Sequence, residues 1–144
     1  MIEFTTADKP FGLYKGDFKL LVDWITNTIE SENGKVGEIN VINCSDDYLL
    51  NINKEHLDHH YYTDVITFDY VVGEIISGDI FVSEDRIIQN AQEFDTSSEH
   101  EFLRVVIHGV LHLSGYSDHT DEEQKIMRAK EDEYLKKFPN ATKI

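Results

Sequence analysis

Apolar positions along this chain recur with two different spacings, and the switches between them lay out its elements. "MIEFTT" at the start reads as a short strand. Between 17 and 33, Phe18, Leu21, Trp24, Ile25 and Ile29 fall at helical spacing and predict an amphipathic helix. "EINVINC" alternates and is β-branched, which predicts a strand over 38–44. Ser45 then offers an N-cap for a helix through "DDYLLNINKEHL". "TDVITFDYV" and "IISGDIFVS" are β-rich runs separated by Gly-Glu, the pattern of a hairpin. Ser83 is placed to cap "EDRIIQNAQEF", and Ser98 with Glu101 has capping-box spacing at the start of "SSEHEFLRVVIHGVLHLSG". Gly115 ends that helix, and Thr120 with Glu123 repeats the capping pattern before "EEQKIMRAKEDEYLKKF". The acidic stretch at 121–133 reads as a solvated face. A hairpin in the middle and helices gathered at the end predict an α+β fold, a small mixed sheet covered by helices.

Length and composition narrow the class. The chain has 144 residues and no repeat or low-complexity break, so one domain over 1–144 is expected. A domain of that size buries roughly 70% of its unfolded surface, enough for a core without covalent staples. Cys44 is the only cysteine, which excludes an intrachain disulfide and fits a reducing compartment; without a partner it is expected to be buried and inert. "MIEFTTADKPFGLYKG" lacks a basic segment followed by an apolar one, so no secretion signal is expected. No apolar run near the histidines approaches the roughly 20 residues of a membrane span. The expectation is a cytoplasmic protein without membrane attachment. Thirteen Lys and Arg against 28 Asp and Glu give −15 at pH 7. That field repels nucleic acid, so any role on nucleic acid needs a local basic pocket, a metal ion or a protein partner.

The candidate chemistry lies in "HGVLHLSGYSDH", residues 108–119. On a helix, His108 and His112 stand one turn apart on one face, close enough to share an ion. Gly115 allows a sharp turn, after which Asp118 or His119 can return as a third ligand. Three protein ligands leave a coordination position open, as in catalytic zinc sites. The competing interpretation is a pair of packed core histidines, which is costly unless each imidazole is paired. Where the protease motif HExxH carries its glutamate, this chain has Gly109, which argues against peptide hydrolysis and for a phosphodiester.

"HGVLHLSGY" resembles the HGxLHLxGY signature of the YbeY family of bacterial endoribonucleases. "TDVITF" is similar to the family's TDVLSF, "SGDIFVS" to its GDIxIS strand, and "EEQKIMRAKEDEYL" stands where its C-terminal acidic helix does, so the likeness runs from about 48 to 135. The resemblance implies a zincin-like placement of the metal helix and a single zinc ion. It implies a single-strand-specific endoribonuclease that matures the 3′ end of 16S rRNA and serves ribosome quality control. The implied partners are single-stranded RNA or rRNA and the ribosome or its small-subunit proteins.

The family holds its metal with three histidines, the third ten residues after the first. His108 and His112 match that pattern. The third position reads Asp118 without a gap, or His119 if Ser117 is an insertion; the spacing favours Asp118 and leaves His119 as a supporting partner or proton donor. The family's arginine, six residues before the Thr of TDV, falls on Leu57. Arg104, one turn before His108, can take its place as a phosphate grip, or it can pair with Glu101 or another acid. His56, His59 and His60 are the other candidates, against a solvated loop. Thr63 and Asp64 are expected to brace the hairpin, and Asp79 to orient a ligand histidine or serve a turn. The catalytic set is thus His108, His112 and Arg104. The alternatives are a non-catalytic, metal-stabilised ribosome assembly factor and a metal-dependent protease.

Overall fold

The computed structural model describes residues 1–139; the end of the expected domain, 140–144, lies outside them. Four strands form one sheet: β1 (Ile2–Thr6), β2 (Lys35–Cys44), β3 (Val65–Asp69) and β4 (Ile75–Ser83). The order is β1-β2-β4-β3, with β1, β2 and β4 parallel and β3 antiparallel to β4. The hairpin turns at Gly73 and Glu74, between the bridged Val72 and Ile75, with Gly73 at φ 60°. Five helices complete the described residues: α1 (Phe18–Ser31), α2 (Asp46–Leu57), α3 (Glu84–Glu93), α4 (Ser98–Leu113) and α5 (Asp121–Leu135).

Strand alternation sorts side chains to the two faces of the sheet. Ile80 and Val82 of β4 and Ile39 and Val41 of β2 join α1, α4 and α5 in the main core. Ile66, Phe68 and Phe81 point the other way and pack with Leu49 and Ile52 of α2. Helix α4 runs through the main core with most of its residues buried, and Arg104, His108 and His112 fall on a stripe that is not. It lies close against the sheet at Gly109, where an added Cβ would stand 2.8 Å from Ile80 Cγ2.

Three local expectations are corrected. The N-cap of α4 is Ser97, which accepts from His100 N, so Ser98 and Glu101 form no capping box; Glu101 is instead buried, only 4% exposed. Strand β2 begins at Lys35 because it continues through a register shift between Val36 and Ile39. The alternation is broken there by Gly37, where a Cβ would meet Ser77 Oγ at 2.1 Å. Asp79 lies inside β4, away from any turn, and accepts from Asn40 Nδ2 at 3.0 Å and Tyr70 at 3.3 Å, so it braces the sheet and not a histidine. The Thr120–Glu123 capping box is present. Cys44 is fully buried against the Val82 carbonyl, and burial, with Asp8, Asp85 and Asp46 nearby, pushes its thiol up to about 12.

Candidate metal centre

Helix α4 ends in a Schellman turn: Gly115 N donates to His112 O and Tyr116 N to Leu111 O, with Gly115 at φ 110°. Only glycine holds that backbone without strain, and the turn sends the chain back across the end of the helix. Two consequences follow for the histidines. His112 Nδ1 lies 2.9 Å from the Tyr116 carbonyl, and Asp118 is carried to the face that both imidazoles share.

His108 is fixed from the other side. Its Nδ1 lies 2.7 Å from Glu131 Oε2 on α5, and Glu131 is only 4% exposed. A carbonyl and a carboxylate can only accept, so each Nδ1 donates and, in the neutral imidazole, each Nε2 offers its lone pair. Those lone pairs meet one carboxylate oxygen: Asp118 Oδ2 is 3.3 Å from His108 Nε2 and 3.5 Å from His112 Nε2. The ligand atoms of the three residues all lie within 4.8 Å of one another. Three such donors facing one another form a group that could hold one metal ion. With zinc bonds of about 2.0–2.1 Å, tetrahedral ligand atoms stand about 3.3–3.4 Å apart, so the spacing and donor chemistry both fit one such ion.

The electrostatics follow from the same contacts. Burial alone would lower the His108 pKa, but Glu131, Asp118 and Asp64 more than offset it and the net shift is upward. His112 is shifted down, by burial and by the charge on His108. Glu131 is held below the usual range despite burial, because His108 and Arg104 both donate to it. Asp64, beside the site, is pushed up chiefly by burial. Glu101 is raised to about 6, first by burial and then by Asp64.

Arg104 does not point into the centre. Its guanidinium is mostly buried and forks onto Glu131 Oε1 and Asp132 Oδ1, each at 2.8 Å. It therefore pairs with acids on α5 and not with Glu101, and it acts behind His108 by holding Glu131. His119 is exposed and belongs to the rim of the adjoining groove, outside the three-residue group. Leu57 and His59 line that groove too. Of the other loop histidines, His56 packs edge-on against Phe68 and His60 lies 3.3 Å from Asp58. Thr63 and Asp64 precede β3; the Asp64 carbonyl accepts from Ser83 N, and its carboxylate from Asn90 Nδ2 at 3.2 Å.

The residue that sequence reasoning missed is Glu131, which was read as part of a solvated acidic face. The signal was present: Met127, Glu131, Tyr134 and Leu135 are the buried stripe of α5, and Glu131 occupies an apolar position on it. A carboxylate on a buried stripe needs a partner, and His108 and Arg104 supply it.

Comparison with known proteins gives a consistent result. The family model described as Endoribonuclease YbeY matches residues 4–139. A protein of that name from Flavobacterium psychrophilum is 48% identical over 130 residues, covering 87% of this chain and 93% of its own. A second, from Cytophaga hutchinsonii, is 49% identical over 114 residues, covering 78% and 79%. The solution structure of a Thermotoga maritima protein superposes with a TM-score of 0.67 at 32% identity, covering 96% of this chain and 89% of that one. Among the described residues, no helix is long and apolar enough to cross a membrane.

Proposed function

The chain belongs to the YbeY family of endoribonucleases, and from that premise we propose that it is a zinc-dependent endoribonuclease of single-stranded RNA. It acts in the cytoplasm, as one domain, on the 3′ end of 16S rRNA and in ribosome quality control, on or near the small subunit. The observation that carries this reading is the convergence of two Nε2 atoms and one Asp118 oxygen beside an open groove. His108, His112 and Asp118 would hold the ion, and their Nδ1 partners, Glu131 and the Tyr116 carbonyl, keep both rings aimed at it.

A divalent ion held by these three residues would supply Lewis-acid polarisation of a phosphoryl oxygen and would lower the pKa of bound water toward neutral. The chain's own residues supply the rest. Arg104 fixes Glu131, Glu131 keeps the proton on His108 Nδ1, and the loop backbone does the same for His112. His119, exposed at the groove's rim, is the side chain that delivers a proton to the departing ribose oxygen. Peptide hydrolysis is disfavoured because the glutamate position of HExxH is Gly109, packed against Ile80 with no room for a side chain.

The test is cleavage of single-stranded RNA, double-stranded RNA and peptides by zinc-loaded and chelated protein. Cleavage confined to single strands, abolished by chelator and by His112→Ala, is expected. Cleavage that survives chelation would overturn the reading. The charge of −15 favours a second interpretation, a non-catalytic assembly factor. If His112→Ala folds, loses zinc and still supports rRNA maturation in cells, that interpretation replaces the first.

A further inference from the structure

The groove beside the metal centre, about 450 Å³, has the size of a small-ligand site, yet its described lining contains no Lys or Arg. It contains three carboxylates, Asp64, Asp69 and Asp118. A phosphate backbone would be repelled from such a surface, whereas an uncharged nucleobase would not. Lys125 and Arg128 of α5 line a separate cleft that also borders His108 and Asp118, together with the carboxylates of Asp121 and Glu131.

On the groove side stands an aromatic platform. The rings of His59 and Tyr61 are stacked, with centroids 5.2 Å apart and an interplanar angle of 19°. Tyr61 Oη lies 3.1 Å from His59 Nδ1, and Tyr61 is 57% exposed. The platform is held from beneath. Asn53 is 2% exposed; its backbone carbonyl accepts from His59 N at 3.0 Å, and its side-chain Nδ2 donates to the Tyr61 carbonyl at 2.9 Å. Asp58 ends α2 in the left-handed region at φ 53°, which turns the chain toward the groove. The backbone is therefore fixed by Asn53, and the Tyr61 ring, stacked on His59, stays largely exposed.

We propose that this groove is a nucleobase subsite: an unpaired base next to the scissile phosphate stacks on Tyr61, which His59 backs. The inference rests on the nuclease reading for its substrate class and adds the residue that positions it. Stacking tolerates any base, because every base has a π-face, and it excludes duplexes, whose bases are already stacked.

The experiment compares wild type, Tyr61→Ala and Tyr61→Trp, measuring fluorescence anisotropy with labelled single-stranded RNA and kcat/KM for cleavage. Tyr61→Ala should weaken binding by about 5- to 100-fold, as loss of one base stack does, and Tyr61→Trp should retain it. An RNA with one abasic position beside the cleaved bond should bind wild type as weakly as intact RNA binds Tyr61→Ala, and combining the two changes should add no further loss. Equal binding by wild type and Tyr61→Ala overturns the subsite; if cleavage persists, the nuclease reading stands without it. Tyr61-dependent binding without cleavage supports the subsite and removes the nuclease reading. Absence of both binding and cleavage removes both.

Discussion

Replacing Glu131 by glutamine would leave His108 Nδ1 with a neutral partner and Arg104 with one carboxylate fewer. Such supporting contacts typically change metal affinity by about 10- to 100-fold. Competition titration with a zinc chelator should show a loss of that size for Glu131→Gln, and unchanged affinity would remove Glu131 from the centre. The proton on His108 makes the same affinity pH-dependent. A ligand histidine must be neutral, and Glu131 and its neighbours favour the charged form above the ordinary 6.5. Zinc affinity should therefore fall as pH drops from 8 to 6, toward and through that raised value. A pH-independent affinity over that interval would contradict it. Glu101 gives a prediction of opposite character. Its carboxyl is buried near Asp64 and raised to about 6, so its charge opposes folding above that value, while below the unfolded value of 4.5 it is neutral in both states. Glu101→Gln should stabilise the protein at pH 7.5 by roughly 1–2 kcal/mol, and the gain should vanish toward pH 4.5. Thermal unfolding at the two pH values reads this directly.

Among the elements, α4 carries the most constraint. Its contact with β4 at Gly109 leaves no space, since Ile80 Cγ2 would stand 2.8 Å from an added Cβ and Ile80 is fully buried. Gly109→Ala improves helix propensity by about 1 kcal/mol, but the overpacking costs about 1–3 kcal/mol and tilts the helix that carries both histidines. A net loss of stability together with weaker zinc binding is expected; a stabilised variant would show that the helix can shift freely. What was legible in the sequence follows the range of the interaction. The Thr120–Glu123 box and the Gly115 stop involve neighbours a few residues apart, and both were read from spacing. Tyr116 was not: its Oη donates to Glu32 Oε1 at 2.6 Å, and Tyr134 and Lys130 meet the same carboxylate, so α1, the ligand loop and α5 are joined at Glu32. Arg104 and Glu131, 27 residues apart, pair only because α5 docks on α4. The α4 cap was missed by one residue because Ser97 and Ser98 are equally suited and only the chain's entry angle chooses between them.

At the scale of the whole molecule, the charge of −15 remains the feature that most limits binding to RNA. Several cations are committed internally: Arg86 lies 2.8 Å from Asp46, Arg104 2.8 Å from Glu131, and Lys130 3.3 Å from Glu32. A protein that neutralises six to ten phosphates loses about 10³–10⁵ in affinity between 50 and 200 mM salt. Here the loss over that interval should stay below about tenfold, because an ion and a stacked base replace most phosphate contacts. A steep salt dependence would place the backbone on a cationic surface elsewhere. The central claim is that His108, His112 and Asp118 close around one divalent ion. Calorimetric titration of demetallated protein with zinc tests it most directly. One ion per chain should bind to wild type and to His119→Ala, and Asp118→Ala should lose most of the affinity. No saturable uptake by wild type, or a loss that follows His119 and spares Asp118, would contradict the account.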